Sequence, residues 1–418
     1  MKKYDLIVVG GGFSGVAAAT CAARLGVSVL LIEQSGALGG AMTNCLVYPF
    51  MPNRTKDPET GETKQLSEGI YRELLNRQKE YCGTDVGIRF SGPEYYKFIL
   101  DDMLCEAGVD VLFHTKVFSV TKTGKKITEI TATTIGETVT LQADFFIDAT
   151  GDGNLFSLAG CDYQLGRDSD GYCQPMTTCF RMCGVDVEQF KKELPELQAK
   201  YKQLQSKGEI KNPREDILLF YGVGEDVLHF NTTRVIKHNP TDALEISRAE
   251  MLARRQVYEM EQFLKTNSTA FAHSTIVTLS NQIGVRESRK LKGEYILTAE
   301  DLCSCCRFED SIALGNYDLD IHSPTGSGTS HYYFPAGAYY NIPYRSLLPK
   351  EYDNMLVAGR CISVTHEAQA SIRIMPICAC IGQAAGTAAA IAKKTNTDTK
   401  HVDIQKLKAT LVENGAKL

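Results

Sequence analysis

The chain has 418 residues, which is enough for one large or two ordinary domains. A formal net charge of −5 without basic blocks argues against nucleic-acid binding, because phosphates require a dense Lys and Arg surface. No apolar run approaches the roughly 20 residues that span a bilayer, and the 14 cysteines show no disulfide-framework spacing. We therefore expect a soluble, cytoplasmic protein that binds a small molecule and has neither nucleic acid nor a membrane as its partner.

The first motif follows an apolar run at residues 4–9, which predicts a buried strand. Three glycines then fit the pattern G-x-G-x-x-G before a predicted helix: Gly10, Gly12 and Gly15. In such a motif the glycines make a tight turn, admit a pyrophosphate and allow close helix–strand packing, while the helix N-terminus faces the phosphates. A second predicted strand, at 27–32, ends in Glu33, where a carboxylate accepts hydrogen bonds from ribose hydroxyls. The pattern predicts NAD or FAD and disfavours NADP.

A second glycine turn closes a longer series of predicted elements. These are a helix from Pro93 to about Ala107 and four strands, at 109–113, 116–121, 126–133 and 137–149. The last strand runs into Ala149-Thr150-Gly151-Asp152. This order of strand, antiparallel meander and return strand resembles the FAD domain of the two-dinucleotide-fold enzymes of the glutathione reductase type, whose return strand ends in an Ala-Thr-Gly-Asp signature. The resemblance implies FAD as the cofactor.

A third apolar run, at 355–358, also leads into a glycine, Gly359. The resembled enzymes have an acidic residue after this glycine, near the ribityl chain of the flavin. This sequence has Arg360 instead, so the resemblance does not extend to a carboxylate contact there. Pro376 then marks the first turn of a predicted helix that continues to about Lys394, and its positive end would face the flavin.

Several strings resemble the broad group of FAD-dependent oxidoreductases related to the flavoproteins of fumarate reductase and heterodisulfide reductase. The strings are residues 38–47, 148–155, 283–302, 340–349 and 356–376. The residues expected to contact FAD from the motifs and this resemblance are Gly10, Gly12, Phe13, Ser14, Gly15, Glu33, Gln34, Gly39, Gly40, Ala41, Val117, Gly151, Asp152, Gly359, Arg360 and Ile374.

The expected fold class is α/β: a Rossmann-like FAD-binding domain, with a parallel sheet and an antiparallel meander, interrupted by a smaller α+β cap domain. We expect residues 1–160 to form the first part of the FAD domain and residues 161–280 to form the cap that carries the substrate. Residues 281–418 would return to complete the FAD domain. Active sites commonly lie at such domain interfaces.

Four residues in the recognised strings are candidates for chemistry or substrate binding. His366 follows the third glycine turn and can act as an acid or base near neutral pH, or can instead hold its loop by a backbone hydrogen bond. Arg373 can hold the flavin or a substrate anion. Arg286 and Arg345 suit carboxylates or phosphates, unless they form ion pairs with acids such as Glu287. We expect the four to converge near the flavin.

For several other side chains a structural role is favoured over a role in the active site. For Arg289 an ion pair is the preferred interpretation. The hydroxyls of Tyr340 and Tyr344 can reach a flavin, although packing is the commoner role of such aromatics. The string Cys303-Ser304-Cys305-Cys306 and the pair Cys378 and Cys380 lack the spacing of zinc or iron–sulfur sites, so no metal is expected and packing is favoured.

We expect an enzyme: an FAD-dependent oxidoreductase that transfers a hydride between flavin N5 and a small organic substrate, acidic or hydroxylated. The alternative is an electron-transfer flavoprotein subunit that passes electrons to a partner protein. A flavin-free NAD-binding protein is disfavoured by the two additional FAD-type motifs. No second glycine fingerprint marks a nicotinamide site, so the sequence identifies no electron donor or acceptor.

Overall fold

A computed structural model of the chain describes residues 3–82 and 92–418. Its strands are β1 (Tyr4–Val9), β2 (Val29–Ile32), β3 (Arg54–Lys56), β4 (Thr63–Gln65), β5 (Asp110–Leu112), β6 (Lys116–Thr123), β7 (Lys126–Thr133), β8 (Thr138–Asp148), β9 (Tyr163–Leu165), β10 (Phe180–Cys183), β11 (Leu219–Gly224), β12 (Val227–Phe230), β13 (Thr275–Leu279), β14 (Arg289–Leu291), β15 (Ser311–Gly315), β16 (Ile321–His322), β17 (Thr329–Ser330), β18 (Tyr340–Pro343) and β19 (Met355–Val357).

The α-helices within those described ranges are α1 (Phe13–Arg24), α2 (Ile70–Cys82), α3 (Pro93–Ala107), α4 (Asn154–Ala159), α5 (Val187–Ser206), α6 (Ala243–Asn267), α7 (Ala299–Cys303), α8 (His366–Ile372), α9 (Met375–Thr395) and α10 (Ile404–Glu413). The elements predicted around the first two glycine turns are confirmed to within a few residues. Their apolar runs and glycine boundaries specify them locally.

The largest sheet combines parallel and antiparallel pairing. Strands β5, β2, β1, β8 and β19 are parallel neighbours in that order, and β6 and β7 form an antiparallel meander with the first half of β8. Burial along β8 follows this division, because its first residues alternate between exposed and buried positions while Phe145–Asp148 is buried throughout. The expected fold class, a Rossmann-like FAD domain with an additional α+β part, is confirmed.

A second hydrophobic core lies in the middle of the chain. The antiparallel sheet β11-β12-β10-β13 packs with α5 and α6 around the following buried side chains, among others: Phe180, Phe190, Tyr201, Phe230, Phe263 and Phe271. The Asp186 and Asp242 side chains accept hydrogen bonds from the first backbone N–H groups of α5 and α6. The sheet thus has a core distinct from the one around β1, while the domain limits at 160 and 280 stay a prediction.

Helix α9 is long and apolar enough to cross a membrane by length and composition alone. The predicted helix from Pro376 to about Lys394 is confirmed, but the expectation that no apolar run approaches the length of a membrane span is wrong for it, because alanine, isoleucine and cysteine make most of it apolar. However, 94% of its most apolar window is buried inside the protein, so it is weak evidence for a membrane span. A Cβ added at Gly382 would lie 2.1 Å from the Ser14 carbonyl oxygen, and one added at Gly386 would lie 2.0 Å from the Ala18 carbonyl oxygen. These two glycines therefore let α9 pack directly on α1.

Candidate active site

Three glycine turns meet at the carboxyl ends of β1, β8 and β19, which are adjacent in the sheet. A Cβ added at Gly10, where φ is +105°, would lie 2.5 Å from the Ala149 carbonyl oxygen. One added at Gly359 would lie 3.3 Å from the Ser14 Cβ. Segments that the sequence separates therefore lie together, and we call this group the cradle: residues 10–15, 39–41, 149–152 and 359–360.

Two glycines of the first turn have different roles. A Cβ at Gly15 would lie 1.8 Å from the Gly10 carbonyl oxygen, so this glycine is required for helix–strand packing. A Cβ at Gly12 would meet no described atom within 4 Å. Gly12 is also the N-cap of α1, which no described side chain caps, so the first N–H groups of the helix are available to an anion. This arrangement fits a diphosphate beside Gly12.

Polar groups around the cradle also fit a dinucleotide. The Ser14 hydroxyl is buried and has no hydrogen-bond partner within the described ranges. The Glu33 carboxylate is 7% exposed and accepts hydrogen bonds from the Gly11 N–H (2.7 Å) and the Ser35 N–H (2.8 Å). The Ser35 hydroxyl also donates to the oxygen that the Ser35 N–H reaches (2.7 Å), so Oε2 is the carboxylate oxygen that can still accept a bond from a ribose hydroxyl. These groups could hold FAD, which supplies two-electron redox chemistry when bound.

Two further glycines expected to contact FAD lie against the first turn. The Gly39 N–H donates to the Gly11 carbonyl oxygen (2.8 Å), and a Cβ at Gly40 would lie 3.1 Å from the Gly12 Cα. The positions that remain differ in burial: Phe13, Val117 and Ile374 are buried, Ala41 is half-buried, and Gln34 is exposed. Ile374 is the N-cap of α9. Their contacts with FAD stay predictions.

The departure at Arg360 has a counterpart in the second turn. The Arg360 guanidinium lies 2.7 Å from the Asp152 carboxylate and 3.0 Å from a Cβ placed on Gly151. Burial opposes its charge, but Asp152 outweighs this effect and raises the pKa of Arg360. Asp152 also accepts a hydrogen bond from the Ser288 hydroxyl (2.7 Å). The carboxylate of the Ala-Thr-Gly-Asp signature is therefore bonded to the arginine that replaces the expected acid.

His366 begins α8 and lines a cavity of about 300 Å³. The other lining residues are Arg167, Ile321, Ser323, Pro324, Gly328, Ser330 and Glu367. The Nδ1 atom of His366 lies 2.7 Å from the Glu287 carboxylate, whose side chain is 0% exposed. This contact differs from the backbone hydrogen bond that was the alternative role for the histidine.

Glu287 is the centre of a buried polar network. Its carboxylate bonds to the Lys290 ammonium and accepts a hydrogen bond from the Gln174 N–H (2.9 Å). Burial acts to raise the pKa of Glu287, but the hydrogen bond of His366 and the charge of Lys290 outweigh it and lower that pKa. The carboxylate therefore stays ionised and favours a proton on Nδ1 of His366, which leaves Nε2 as the nitrogen for a ligand.

Arg286 and Arg373 lie near each other around one carboxylate. Arg373 Nη2 is 3.5 Å from Asp320 Oδ2, and Asp320 also bonds to His322 (3.3 Å). Arg286 Nη1 donates to the Pro175 carbonyl oxygen (2.7 Å). Burial, followed by the charges of Arg373 and Arg214, lowers the pKa of Arg286. Arg286 and Arg373 thus place two positive charges near the carboxylate of Asp320.

Arg345 does not join this group, which corrects the expected convergence of four residues. Its guanidinium lies 2.9 Å from the Asp310 carboxylate and 5.1 Å from the centre of the Tyr295 ring, and its side chain is 50% exposed. Arg345 belongs to a short 3₁₀ turn after β18, and both its backbone N–H and its side chain bond to Asp310. The ion-pair alternative describes this arginine.

Three further interpretations can be compared with the structure. Arg289 Nη1 donates to the Asp152 carbonyl oxygen (3.1 Å) and to Asn154 Oδ1 (3.3 Å), so within the described ranges it forms hydrogen bonds instead of the ion pair that was preferred. The Tyr340 hydroxyl bonds to Ser371 Oγ (2.6 Å), and the Tyr344 hydroxyl donates to the Thr399 carbonyl oxygen (2.7 Å). Both rings are buried, which agrees with packing.

The described cysteines are all free thiols. Among described side chains, only Asp318, Asp320 and His331 form a group of three or more possible ligands within 4.8 Å of one another, and it contains none of the sulfurs of Cys303, Cys305 or Cys306. Burial raises the pKa of Cys378 to about 12 and that of Cys380 to about 11. These two thiols are therefore protonated, as packing residues would be.

Sequence reasoning missed several polar residues of the site. No sequence motif points to Lys290 or Gln174, and the sequence suggests Glu287 only as an ion-pair partner of an arginine. Arg181 and His229, which lie buried in the second sheet, were also overlooked. A signal for both was visible, because each interrupts an apolar strand, in MTTCFRM and DVLHF.

Residues 5–411 match the family described as FAD dependent oxidoreductase. Among curated proteins, the chain is similar to digeranylgeranylglycerophospholipid reductase 1 of Methanococcoides burtonii, with 25% identity over 195 residues, which are 45% of this chain and 46% of the relative. It is also similar to glutathione reductase of Schizosaccharomyces pombe, with 45% identity over 53 residues, 13% of this chain and 11% of that protein. The chain thus matches less than half of the length of each relative.

Two solved structures are similar to the chain at low sequence identity. The flavin-dependent brominase Bmp2 has a TM-score of 0.50 at 12% identity, and the match covers 98% of this chain and 83% of that one. A geranylgeranyl bacteriochlorophyll reductase-like protein of Thermoplasma acidophilum has a TM-score of 0.46 at 14% identity, covering 100% and 85%. Because the family match extends over nearly the whole chain, this protein belongs to the FAD-dependent oxidoreductase family and uses FAD as its cofactor.

Proposed function

We propose that this enzyme transfers a hydride between FAD and a small organic substrate, acidic or hydroxylated, and that His366 moves the accompanying proton. The observation that carries the proposal is the pairing of His366 with the fully buried Glu287 at the wall of a cavity of about 300 Å³. A carboxylate that holds one imidazole nitrogen sets the tautomer and stabilises the imidazolium formed when the other nitrogen takes a proton. Glu287 and Lys290 are thus positioning residues for His366.

Two arginines adjoin the His366 pair in the chain and support an acidic substrate: Arg286 directly precedes Glu287, and Arg373 directly follows α8, the helix that His366 begins. The charge of Arg373 lowers the pKa of Arg286 and the charge of Asp320 acts in the opposite direction, while Arg373 also bonds to the Asp320 carboxylate (3.5 Å). The Arg373 Nε atom is buried without a hydrogen-bond partner in the described ranges. The carboxylate of a substrate would supply a further negative charge, and its two oxygens could accept hydrogen bonds from these guanidinium groups.

We also propose closer family relationships for this chain. The Ala149-Thr150-Gly151-Asp152 signature and the 53-residue match to a glutathione reductase support a place in the glutathione reductase-type superfamily, with fumarate reductase and heterodisulfide reductase flavoproteins as wider relatives. We also propose the domain limits at 160 and 280, a cytoplasmic location, and a small-molecule substrate in place of a nucleic-acid or membrane partner.

The test is His366→Asn, because asparagine can still donate to Glu287 but cannot transfer a proton. A panel of small hydroxy acids and sugars is mixed with the oxidised enzyme without oxygen, and bleaching of the flavin absorbance is followed. For any compound that bleaches the wild type, the rate should fall by about 10² or more in the variant, while the FAD content stays unchanged. Arg345→Gln is the control and should keep the wild-type rate. Equal rates in His366→Asn and wild type would refute the role of His366.

A further inference from the structure

Two buried polar residues lie directly opposite each other on neighbouring strands of the second sheet. Arg181 on β10 is paired in register with His229 on β12. Arg181 is 8% exposed and His229 is 0% exposed. Neither residue belongs to the cradle or lines the cavity at His366. A strand interior that holds an arginine opposite a histidine requires a physical explanation, because both side chains are costly to bury.

Most nitrogen atoms of these two side chains have no hydrogen-bond partner in the part of the chain that the structure describes. The Nε and Nη2 atoms of Arg181 and both ring nitrogens of His229 are buried without a hydrogen bond, and so is the Thr178 hydroxyl nearby in sequence. Unsatisfied buried groups destabilise a fold, and a whole cluster of them is uncommon in native proteins. Such a cluster is expected where a ligand completes the hydrogen bonds.

The surroundings of Arg181 favour an anion. A Cβ placed on Gly92 would lie 3.8 Å from Nη1 and from Nη2, so the guanidinium faces the start of α3, which no described side chain caps. Burial lowers the pKa of Arg181, while the charge of Glu94 and the nearby Tyr48 and Cys179 act in the opposite direction. Glu94 itself bonds to Lys97 (2.6 Å), and no ion pair joins it to Arg181 among the described residues.

His229 complements the arginine as a neutral group. Burial and then the charge of Arg181 lower the pKa of His229 to about 3, so the imidazole carries no charge at neutral pH. It can then donate from one nitrogen and accept at the other. The Tyr48 ring packs edge-on at 5.9 Å, so the histidine lies where the segment after the Gly39-Gly40 turn meets the second sheet.

The cluster is connected to the proposed substrate site. Arg286 Nη1 donates to the Thr177 hydroxyl, four residues before Arg181 in the chain. Burial raises the pKa of Cys179 to about 12, although the charges of both Arg286 and Arg181 act against this. The thiol of Cys179 is thus near both arginines.

We propose that Arg181 binds an oxyanion of the organic substrate, a carboxylate or a phosphate, through its planar fork, and that His229 hydrogen-bonds a neighbouring oxygen. This proposal depends on the proposed function in one respect, because it treats the bound anion as part of the substrate. Binding of the anion is measured without turnover, so the anion site and the proposed function can be refuted separately.

The experiment compares the melting temperature of the FAD-loaded protein in succinate, in inorganic phosphate and in sodium chloride at equal ionic strength. Wild-type protein should be stabilised by one of the two oxyanions, and the one that acts identifies a carboxylate or a phosphate. Arg181→Met should melt about 2 °C or more higher than wild type without the anion, because an unpaired buried charge is removed. It should also lose the response to the anion.

Arg345→Gln is the matched control, because it removes one arginine charge from an exposed ion pair and should respond like wild type. Arg181→Lys keeps the charge but not the fork, and calorimetry should find its anion affinity about 30-fold weaker or more. His366→Asn should keep the anion response even if its turnover is lost. The proposal is overturned if wild type responds to neither oxyanion, if Arg181→Met melts lower and still responds, or if Arg181→Lys binds like wild type.

Discussion

Two buried polar regions lie at opposite ends of the segment from Gln174 to Arg181, and they differ in the partners available to them. At the first end, the Gln174 N–H bonds to Glu287, which also bonds to Lys290 and His366. At the other end lie Arg181 and His229. Within the described residues, the Nε and Nη2 atoms of Arg181 and both ring nitrogens of His229 are buried without a hydrogen bond.

This difference distinguishes residues that hold a catalytic side chain in place from residues that bind a ligand. Charges in the Glu287 network satisfy one another, so the network holds the geometry of His366 and contributes to stability. The Arg181 region has no such compensation and lowers stability until a ligand provides it. Removing a charged group should therefore have opposite effects on stability in the two regions.

The largest expected effect is that of Glu287→Gln. The change leaves the buried Lys290 ammonium without its counter-charge, which should lower the free energy of unfolding by about 3–5 kcal/mol. Urea denaturation followed by circular dichroism measures this difference. In the double variant with Lys290→Met, most of the loss should be recovered, because no unpaired charge remains. A single variant as stable as wild type would show that the comparison between the two regions is wrong.

A smaller effect on the free energy of unfolding is expected when the pH is lowered. The pKa of His229 is lowered to about 3 in the fold, against about 6.5 in the unfolded chain. Between these values the unfolded chain binds more protons, so the free energy of unfolding falls as the pH decreases from about 6.5 towards 3. His229 should contribute a loss of about 2 kcal/mol at pH 5.

The measurement for His229 is urea denaturation at pH 7 and pH 5. His229→Gln should lose less stability than wild type between these pH values. The exposed residue His401 provides the control, and His401→Gln should behave like wild type. Equal losses in wild type and His229→Gln would mean that water reaches the imidazole in the folded protein.

The smallest effect extends the comparison to the cradle. Like Arg181, the Ser14 hydroxyl is buried without a partner in the described ranges. Ser14→Ala should not lower the stability of the FAD-free protein, because it removes an unsatisfied hydroxyl, but it should weaken FAD binding by about 1 kcal/mol, or roughly fivefold. Quenching of flavin fluorescence on titration measures this affinity. Thr20→Val is the control in the same helix, because Thr20 also carries a buried hydroxyl without a described partner but lies beyond the cradle. Loss of affinity in both variants would instead indicate a general disturbance of α1.

The parts of the fold that could be predicted are those with local requirements. Gly15 is dictated by a carbonyl oxygen five residues away in the chain, and Glu33 ends the strand beside the first turn. Arg286 and Arg345 show the opposite case, because both stand in recognised strings and have the same chemistry. Only the fold brings Arg286 near Arg373 and leaves Arg345 with Asp310.

By itself, the sequence determined the class of cofactor, the order of elements in the first sheet and the glycines of the cradle. Backbone conformation and close packing restrict these positions to particular residues within a short stretch of chain. The tertiary structure alone decided that His366 pairs with Glu287 and that Arg181 faces His229. Burial and partnership of a charged side chain depend on segments distant in sequence, and it is the resulting balance of desolvation and pairing that distinguishes a positioning group from a binding group.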